Sequence, residues 1–233
     1  MKKKILLKKV HHLLPRFRSI FDIIGPVMIG PSSSHTAGAC RIGKVCRSIF
    51  GSLPDSVDIY LYESFAKTYR GHGTDIALVG GLLGFEPDDS RLPDSLRLAY
   101  EAGMEVCFLP TKEQAEHPNQ VKMVLKKDQQ QMSVTGLSIG GGNIRISELN
   151  GFKLSLSYGV PTIVVVHQDI PGMIAKVTQI LCDNNINIAT MTVTRESKGE
   201  KAIMILEVDE KNLAPYLAKI KALPAIFSVN YFS

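Results

Sequence analysis

The sequence predicts an α+β protein built from two domains, and three observations favour this fold class. A chain of 233 residues is long enough for one large domain or two small ones. Its composition changes near residue 150, where the turn dipeptide Asn150-Gly151 precedes a stretch with Ser155, Ser157 and Gly159-Val160-Pro161. Downstream, the apolar pattern follows the order β-α-β-β-α-β, a split βαβ or ferredoxin-like arrangement.

These boundaries divide the chain into four segments. We expect a basic, poorly ordered N-terminal extension at 1–19, a mixed α+β domain at 20–150, a linker at 151–160 and a ferredoxin-like βαββαβ domain at 161–233. The last domain is small, so it buries little of its surface alone. We therefore expect it to pair with another copy or with another domain.

The first domain mixes helices and strands without regular alternation, which is typical of an α+β arrangement. Its apolar periodicity predicts three helices, at 36–50, 74–84 and 92–102. Strands are predicted at 57–62, 106–109, 121–126, 132–139 and 144–149. The strands at 121–126 and 132–139 are close enough in sequence to form a hairpin.

The second domain begins with a β-branched strand at 162–166, and a helix is predicted after Asp169-Ile170-Pro171-Gly172. Asp169 or its neighbour can cap this helix, and Pro171 has the backbone angle of a first turn. One helical face then repeats Met173, Val177, Ile180 and Leu181, and Asn184-Asn185 ends the helix. The remaining elements are strands at 186–194 and 202–208, a helix with Leu213, Leu217 and Ile220, and a strand at 226–232.

Composition excludes several classes of protein. With 45% apolar and 21% charged residues, the chain has the make-up of an ordinary globular protein. Apolar runs such as 76–85 and 160–166 fall well short of the roughly 18 residues of a membrane-spanning helix. We therefore expect no transmembrane segment, and the composition does not favour a membrane as a partner.

The formal net charge of +5 does not indicate a basic binding face. Seven of the 27 Lys and Arg residues lie within residues 1–18, so the rest of the chain has 20 basic against 22 acidic residues. Nucleic acid is therefore not an expected partner. In the extension, a helical face of Leu6, Val10, Leu13 and Phe17 could lie on a membrane or target the chain, but we favour a poorly ordered segment.

The four cysteines, at positions 40, 46, 107 and 182, do not predict a metal site in this chain. They form no C-x-x-C pair and have no histidine at zinc-ligand spacing. A cluster held by this chain alone would need closely spaced thiolates. Because we recognise no signal peptide, we expect a cytoplasmic protein whose cysteines are small buried residues.

The most unusual stretch runs from Gly25 to Gly38, where two Gly/Pro pairs bracket an apolar tripeptide and lead into SSSHT. A helix that starts there presents unpaired amides beside hydroxyl groups, which can hold a carboxylate or a phosphate. His35 can transfer a proton near neutral pH. The alternative is a plain N-cap in a serine-rich loop with a solvated histidine.

Two further stretches carry glycines beside polar residues. Gly71 and Gly73 flank His72 ahead of an apolar helix, which lets the backbone approach another group closely, although a turn without a ligand has the same pattern. The run 138–143, with three glycines between predicted strands, indicates a bend, a bulge or a close approach. It lacks the lysine and the helix of a nucleotide-binding loop.

These stretches together resemble a known family. The runs FDIIGPVMIGPSSSHTAGACRIG, GHGTDIALVGGLLG and SIGGGNIRI resemble the beta chain of the bacterial iron-sulfur-dependent L-serine dehydratase, in its two-chain form. The run DIPGMI at 169–174 resembles the entry motif of an ACT domain. The resemblance covers roughly residues 20 to 233 and leaves out only the basic extension.

The resemblance implies a fold, an activity and a partner. The first domain would have the fold of the serine dehydratase beta domain, which is similar to the allosteric substrate-binding domain of some phosphoglycerate dehydrogenases. The family converts L-serine to pyruvate and ammonia, in amino-acid catabolism or gluconeogenesis. An alpha chain would carry a four-iron four-sulfur cluster that acts as a Lewis acid. Homodimeric contacts through the beta or the ACT domain are also expected.

The resemblance also implies roles for individual residues. His35 is the first candidate for proton transfer and His72 the second, with Ser32, Ser33, Ser34 and Thr36 near the substrate carboxylate. ACT domains bind amino acids at their first strand-to-helix turn, here Gln168, Asp169, Pro171 and Gly172, and a dimer interface without a ligand is the alternative. A non-catalytic amino-acid sensor, with a regulatory anion site in the first loop, is the other function considered.

Overall fold

The computed structural model describes residues 26–210 and 212–232 and arranges them in two β-sheets with helices packed on them. The extension predicted at 1–19 lies outside the described residues. The α+β class is confirmed, because helices and strands are mixed in the first part and the second part follows the order β-α-β-β-α-β. No helix in these two ranges is long and apolar enough to cross a membrane.

The first sheet contains the strands β1 (Ser56–Leu61), β2 (Glu105–Pro110), β3 (Gln120–Lys127), β4 (Gln130–Gly140), β5 (Asn143–Leu149) and β6 (Phe152–Ser157). Their spatial order is β2-β1-β3-β4-β5-β6. β1 and β2 are parallel, and the other neighbouring pairs are antiparallel. Buried residues alternate along β1, so one face of the sheet bears the core.

The helices of this domain are α1 (Ala39–Phe50), α2 (Glu63–Thr68), α3 (Thr74–Leu82) and α4 (Ser95–Glu101) within the described range. α1 and α3 touch through their backbones. A Cβ on Gly43 would lie 2.1 Å from the carbonyl oxygen of Leu78, and one on Gly81 would lie 2.0 Å from that of Cys40. Only glycine allows this approach, which fixes the start of α1 beside the loop that precedes α3.

The predicted elements of the first domain are present, with shifted ends. The helix predicted at 36–50 begins earlier, as a π-helical turn at Ser33–Gly38 that continues into α1. The helix predicted at 92–102 begins as a 3-10 turn at Leu92–Asp94 and continues as α4. The short helix α2 is absent from the prediction, because Phe65 is its single buried residue and gives no apolar repeat.

The linker predicted at 151–160 is wrong over residues 152–157, which form β6 and pair with β5. Asn150 and Gly151 have φ angles of 50° and 85°, which suit a two-residue hairpin turn. Phe152 and Leu156 are buried between exposed neighbours, as expected for a strand with one covered face. The connection between the two sheets is therefore the short segment 158–161.

The second domain consists of β7 (Thr162–Gln168), α5 (Met173–Asp183), β8 (Ile188–Arg195), β9 (Lys201–Val208), α6 (Ala214–Lys221) and β10 (Ile226–Phe232). Its sheet has the order β10-β7-β9-β8, with antiparallel neighbours, so the ferredoxin-like prediction is confirmed. Val177, Leu181 and Ile220 of the two helices cover one face of this sheet.

The other face of the second sheet joins the core of the first domain. Val164, Ile203, Ile205 and Phe232 belong to one buried cluster with residues of α1 and of the first sheet. The C-terminal end of α1 reaches β10, where a Cβ on Gly51 would lie 3.4 Å from Asn230 Oδ1. α1 therefore extends from the serine-rich loop at one end to the second domain at the other.

Candidate active site

The serine-rich loop forms the π-helical turn Ser33–Gly38, a rare conformation that is frequent at functional sites. Ser32 caps it: its Oγ accepts from the backbone N–H of His35 at 3.2 Å, and its carbonyl accepts from that of Thr36 at 2.8 Å. Gly30, with φ of 149°, has no room for a side chain, since a Cβ would lie 2.4 Å from Thr36 Oγ1. These contacts hold the loop in one conformation.

The end of β4 supports this turn. The buried hydroxyl of Ser138 donates to the carbonyl of Ser34 at 2.8 Å, and a Cβ on Gly38 would lie 2.1 Å from the same hydroxyl. The three glycines that follow have φ angles of 100°, 60° and 78° and form the turn between β4 and β5. Arg41 of α1 donates to the carbonyl of Gly142 at 2.7 Å. The glycine run therefore ties the two strands to α1 beside the loop.

Hydroxyl groups surround the imidazole of His35, which is 9% exposed. Its Nδ1 lies 3.1 Å from Ser34 Oγ and 3.4 Å from Ser32 Oγ. On the opposite side of the ring, Nε2 lies 3.2 Å from Ser64 Oγ, at the start of α2. The edge of Phe65 packs on the ring with centroids 5.1 Å apart.

Two effects lower the pKa of His35 from its ordinary value. Burial is the larger cause of its lowered pKa, because the low-dielectric surroundings disfavour the charged imidazole. The ring of His72 is the second cause, with a centroid 4.9 Å away, since a charge on one ring opposes a charge on the other. A neutral imidazole can accept a proton, so this arrangement suits a general base.

The structure brings the two predicted histidine loops together. His72 is exposed on the loop before α3, and its backbone carbonyl faces Thr36 Oγ1 at 3.5 Å. Thr36 is 2% exposed, so its hydroxyl joins the loops, while Ser32, Ser33 and Ser34 are half-buried at the surface of the turn. The serines and both rings therefore converge on one patch.

Sequence reasoning missed Ser64 and Phe65. Ser64 is 29 positions from His35, and it approaches the ring only because β1 leads into α2 beside the loop. A six-residue helix with one buried residue carries no periodic signal that would have placed it there.

Two family models match the chain. The model described as serine dehydratase beta chain matches residues 19–97, and the ACT domain model matches residues 162–225. A protein of Bacillus subtilis (strain 168) named "Probable L-serine dehydratase, beta chain" is 47% identical over 214 residues, which are 92% of this chain and 97% of that protein. This chain belongs to the L-serine dehydratase beta-chain family.

Two other relatives add to this result. The L-serine dehydratase beta chain of Peptoniphilus asaccharolyticus is 38% identical over 92% of this chain and 95% of its own length. The D-3-phosphoglycerate dehydrogenase of Bacillus subtilis (strain 168) is 33% identical over 82% of this chain but 36% of that enzyme. His35, Ser64 and His72 all lie within the part that matches the serine dehydratase beta-chain model.

The ACT domain of this family member has a pocket at the turn between β7 and α5. A cavity of about 340 Å³ is lined there by His167, Asp169, Gly172, Arg195 and Lys198, among others. His167 is 2% exposed, and its Nδ1 lies 2.7 Å from the carbonyl of Gln168. Its buried Nε2 has no hydrogen-bond partner among the residues that the structure describes. Sequence reasoning missed this histidine, because it reads as a core residue of a strand.

Asp169 does not cap α5, so that prediction is wrong. Its carboxylate accepts from the backbone N–H of Gly199 and from Arg195 Nη1, both at 3.1 Å, and these partners lower its pKa. Gly172 precedes α5 with φ of 86°, and Pro171 lies ahead of the first turn. Of the predicted effector residues, Asp169, Pro171 and Gly172 border the pocket and Gln168 does not, while Asp169 ties its rim to the turn after β8.

The cysteines of this family member do not fit a metal cluster held by the chain itself. Cys40 and Cys46 are buried, and burial raises the pKa of each thiol to about 12, which opposes the thiolate form that metals bind. Cys107 and Cys182 are exposed on β2 and α5, in different domains. In the described ranges, no three His, Cys, Asp or Glu side chains gather as a metal site.

Proposed function

We propose that this chain is the beta subunit of an L-serine dehydratase and completes the active site of a partner alpha chain. The observation that carries the proposal is the imidazole of His35, whose two ring nitrogens lie among serine hydroxyls on a fixed loop. Two relatives of this chain are named as beta chains, which supports the need for an alpha chain. The substrate class is the one in their names, L-serine.

In this proposal the chain binds and deprotonates the substrate. The hydroxyls of Ser32, Ser33 and Ser34 and the free amides of the turn bind the serine carboxylate, since such amides are ready donors to anions. His35 Nδ1 takes the proton from Cα. Loss of the β-hydroxyl as water leaves aminoacrylate, which tautomerises to the imine and is hydrolysed to pyruvate and ammonia. Thr36 positions the loop, and His72 tunes His35 or contacts the substrate.

The metal centre of the reaction belongs to the partner in this proposal. A four-iron four-sulfur cluster on the alpha chain would act as a Lewis acid toward the departing hydroxyl, which is otherwise a poor leaving group. The two buried thiols of this chain support that division, because neither readily becomes a thiolate ligand. All four cysteines are free thiols, which favours a reducing compartment such as the cytosol.

The ACT pocket supports a regulatory role beside catalysis. The unpartnered Nε2 of His167 and the guanidinium of Arg195 suit a small amino acid, and the exposed Met191 and Val193 of the edge strand β8 support pairing with a second copy. Calorimetric titration of the full chain with L-serine tests the effector site. We expect the heat to fall in His167→Ala and to persist in His35→Ala. Heat that is lost in His35→Ala but unchanged in His167→Ala would instead favour the anion-sensing alternative for the first loop.

The experiment that tests the catalytic proposal replaces His35 and reassembles the complex. His35→Ala, combined with the alpha chain, should lose turnover by about 10²- to 10⁴-fold, the range that a general base contributes. The visible absorbance of the cluster and the affinity of the two chains should stay the same. Unchanged turnover, or turnover lost together with the absorbance, contradicts a catalytic role for His35.

A further inference from the structure

We propose that Ser64 is a positioning residue for His35. Its hydroxyl oxygen accepts a hydrogen bond from Nε2–H of the ring, so that the unprotonated Nδ1 faces the serine loop. The inference rests on the proposed function, because it assigns the nitrogen that acts as the base. The tautomer of His35 is a property of this chain alone, before any partner binds.

The two nitrogens of the His35 ring face different groups. Nδ1 faces Ser34 and Ser32, and Nε2 faces Ser64. A neutral imidazole has one nitrogen that donates and one that accepts. A base that acts on a molecule held by the loop must therefore use Nδ1, because only that nitrogen is turned toward it. Nε2 then carries the hydrogen atom and donates a hydrogen bond to Ser64 Oγ.

Backbone contacts fix Ser64 in this place. Its N–H donates to the carbonyl of Pro118 at 2.9 Å, and the N–H of Phe65 reaches the same oxygen at 3.4 Å. Thr68 Oγ1 donates to the carbonyl of Ser64 at 2.8 Å. Phe65 is fully buried under the ring of His35. These hydrogen bonds and the buried side chain of Phe65 therefore hold the start of α2, and with it the Ser64 hydroxyl, beside Nε2.

The residue before Ser64 has an unusual backbone conformation. Glu63 has φ of 38°, in the left-handed region that side-chain-bearing residues rarely adopt. Such a conformation persists only where the surrounding structure imposes it, and it is found mostly at functional sites. Here it allows the chain to turn sharply from β1 into α2, with Ser64 at the first turn and directed at His35.

A hydroxyl suits this position better than a carboxylate would. Burial and the neighbouring ring of His72 lower the pKa of His35, which favours the neutral imidazole. A carboxylate beside Nε2 would stabilise the charged ring and raise that pKa, as opposite charges do. The hydroxyl orients the ring and selects the tautomer without adding a charge. Among the described residues, the groups hydrogen-bonded to its ring nitrogens are all serine hydroxyls.

The first test reads the tautomer directly in the full chain without its partner. We expect the imidazole nitrogen shifts of ¹⁵N-histidine-labelled protein, at a pH where His35 is neutral, to show one tautomer with hydrogen on Nε2. His35→Gln assigns the signals by their loss. In Ser64→Ala the ring should populate both tautomers, while the other histidine signals stay in place. A wild-type ring with hydrogen on Nδ1, or a spectrum that Ser64→Ala leaves unchanged, overturns the inference.

The second test uses the reconstituted enzyme. Ser64→Ala should lower kcat by about ten- to a hundredfold with little change in KM, less than the loss of the base itself. Ser64→Thr, which keeps the hydroxyl, should restore most of kcat, and Ser56→Ala, at the far end of β1 and equally half-buried, should have no effect. If His35→Ala is inactive but Ser64→Ala is fully active, the proposed function survives and this inference fails.

Discussion

The rings of His35 and His72 are close neighbours. Their centroids are 4.9 Å apart, and a charge on His72 lowers the pKa of His35. His35 must be unprotonated to act as a base, so kcat/KM should fall as the pH drops through its pKa. His72 should therefore extend activity to a lower pH than the burial of His35 alone would allow.

Replacing the neighbour tests this coupling. In His72→Gln the repulsion is gone, so the pKa of His35 should rise and the acidic limb of the kcat/KM profile should move to higher pH. The measurement is the pH profile of the reconstituted enzyme for both forms. A limb that stays in place or moves to lower pH would show that His72 does not act on the charge of His35. Glutamine keeps a polar side chain of similar size, so a lower plateau alone would indicate a substrate contact.

The sequence predicted part of this site. Ser32 to Thr36 and His72 stand out because polar residues there are crowded between glycines and prolines, a local signal. Ser64 could not be found in this way, because its contact with His35 spans 29 positions and depends on the path of β1. His167 was missed for a similar reason: a histidine within an apolar strand looks like a core residue until its unpartnered Nε2 is seen.

At the scale of elements, the contact of α1 with α3 sets the distance between the two loops. α1 follows directly from the serine turn, and α3 follows directly from His72. The contact is made by glycines whose absent side chains would meet backbone atoms. Any change that separates these helices should therefore also separate His35 from His72.

Gly81→Ala tests this packing. In an ordinary helix the change would stabilise the protein by up to about 1 kcal/mol. Here the new Cβ would lie 2.0 Å from the carbonyl oxygen of Cys40, and overpacking of this kind costs about 1–3 kcal/mol. We expect a net loss in the free energy of unfolding, measured by urea denaturation. Gly71→Ala, whose nearest neighbour would be 3.7 Å away, is the control; equal stability of the two variants contradicts the packing account.

The elements themselves were largely predictable, and the exceptions have physical causes. Helix α2 is too short and too exposed to show a period. The segment of β6 is predicted as a linker because Ser155 and Ser157 are typical of loops, although both lie on the exposed side of the strand. The turn Asn150-Gly151, between alternating apolar residues, was the stronger signal and indicates a hairpin.

At the scale of the whole molecule, the two domains share a core. The sequence predicts the order of the two domains, but it predicts them as separate units joined by a linker. The continuous apolar runs of β7 and β9 were the available clue, because a strand with both faces covered loses its polar alternation. α1 spans this shared core from the serine-rich loop to β10, so one helix links that loop to the ACT domain.

In the proposed enzyme this subunit supplies the base and the carboxylate site, while its partner supplies the metal. The most direct measurement is pyruvate formation from L-serine by the purified, iron-free chain alone and after addition of the iron-loaded alpha chain. We expect no turnover by the chain alone and turnover that rises with added partner until the chains are matched. Pyruvate formation by the isolated chain, at the rate of the complex, would contradict the account.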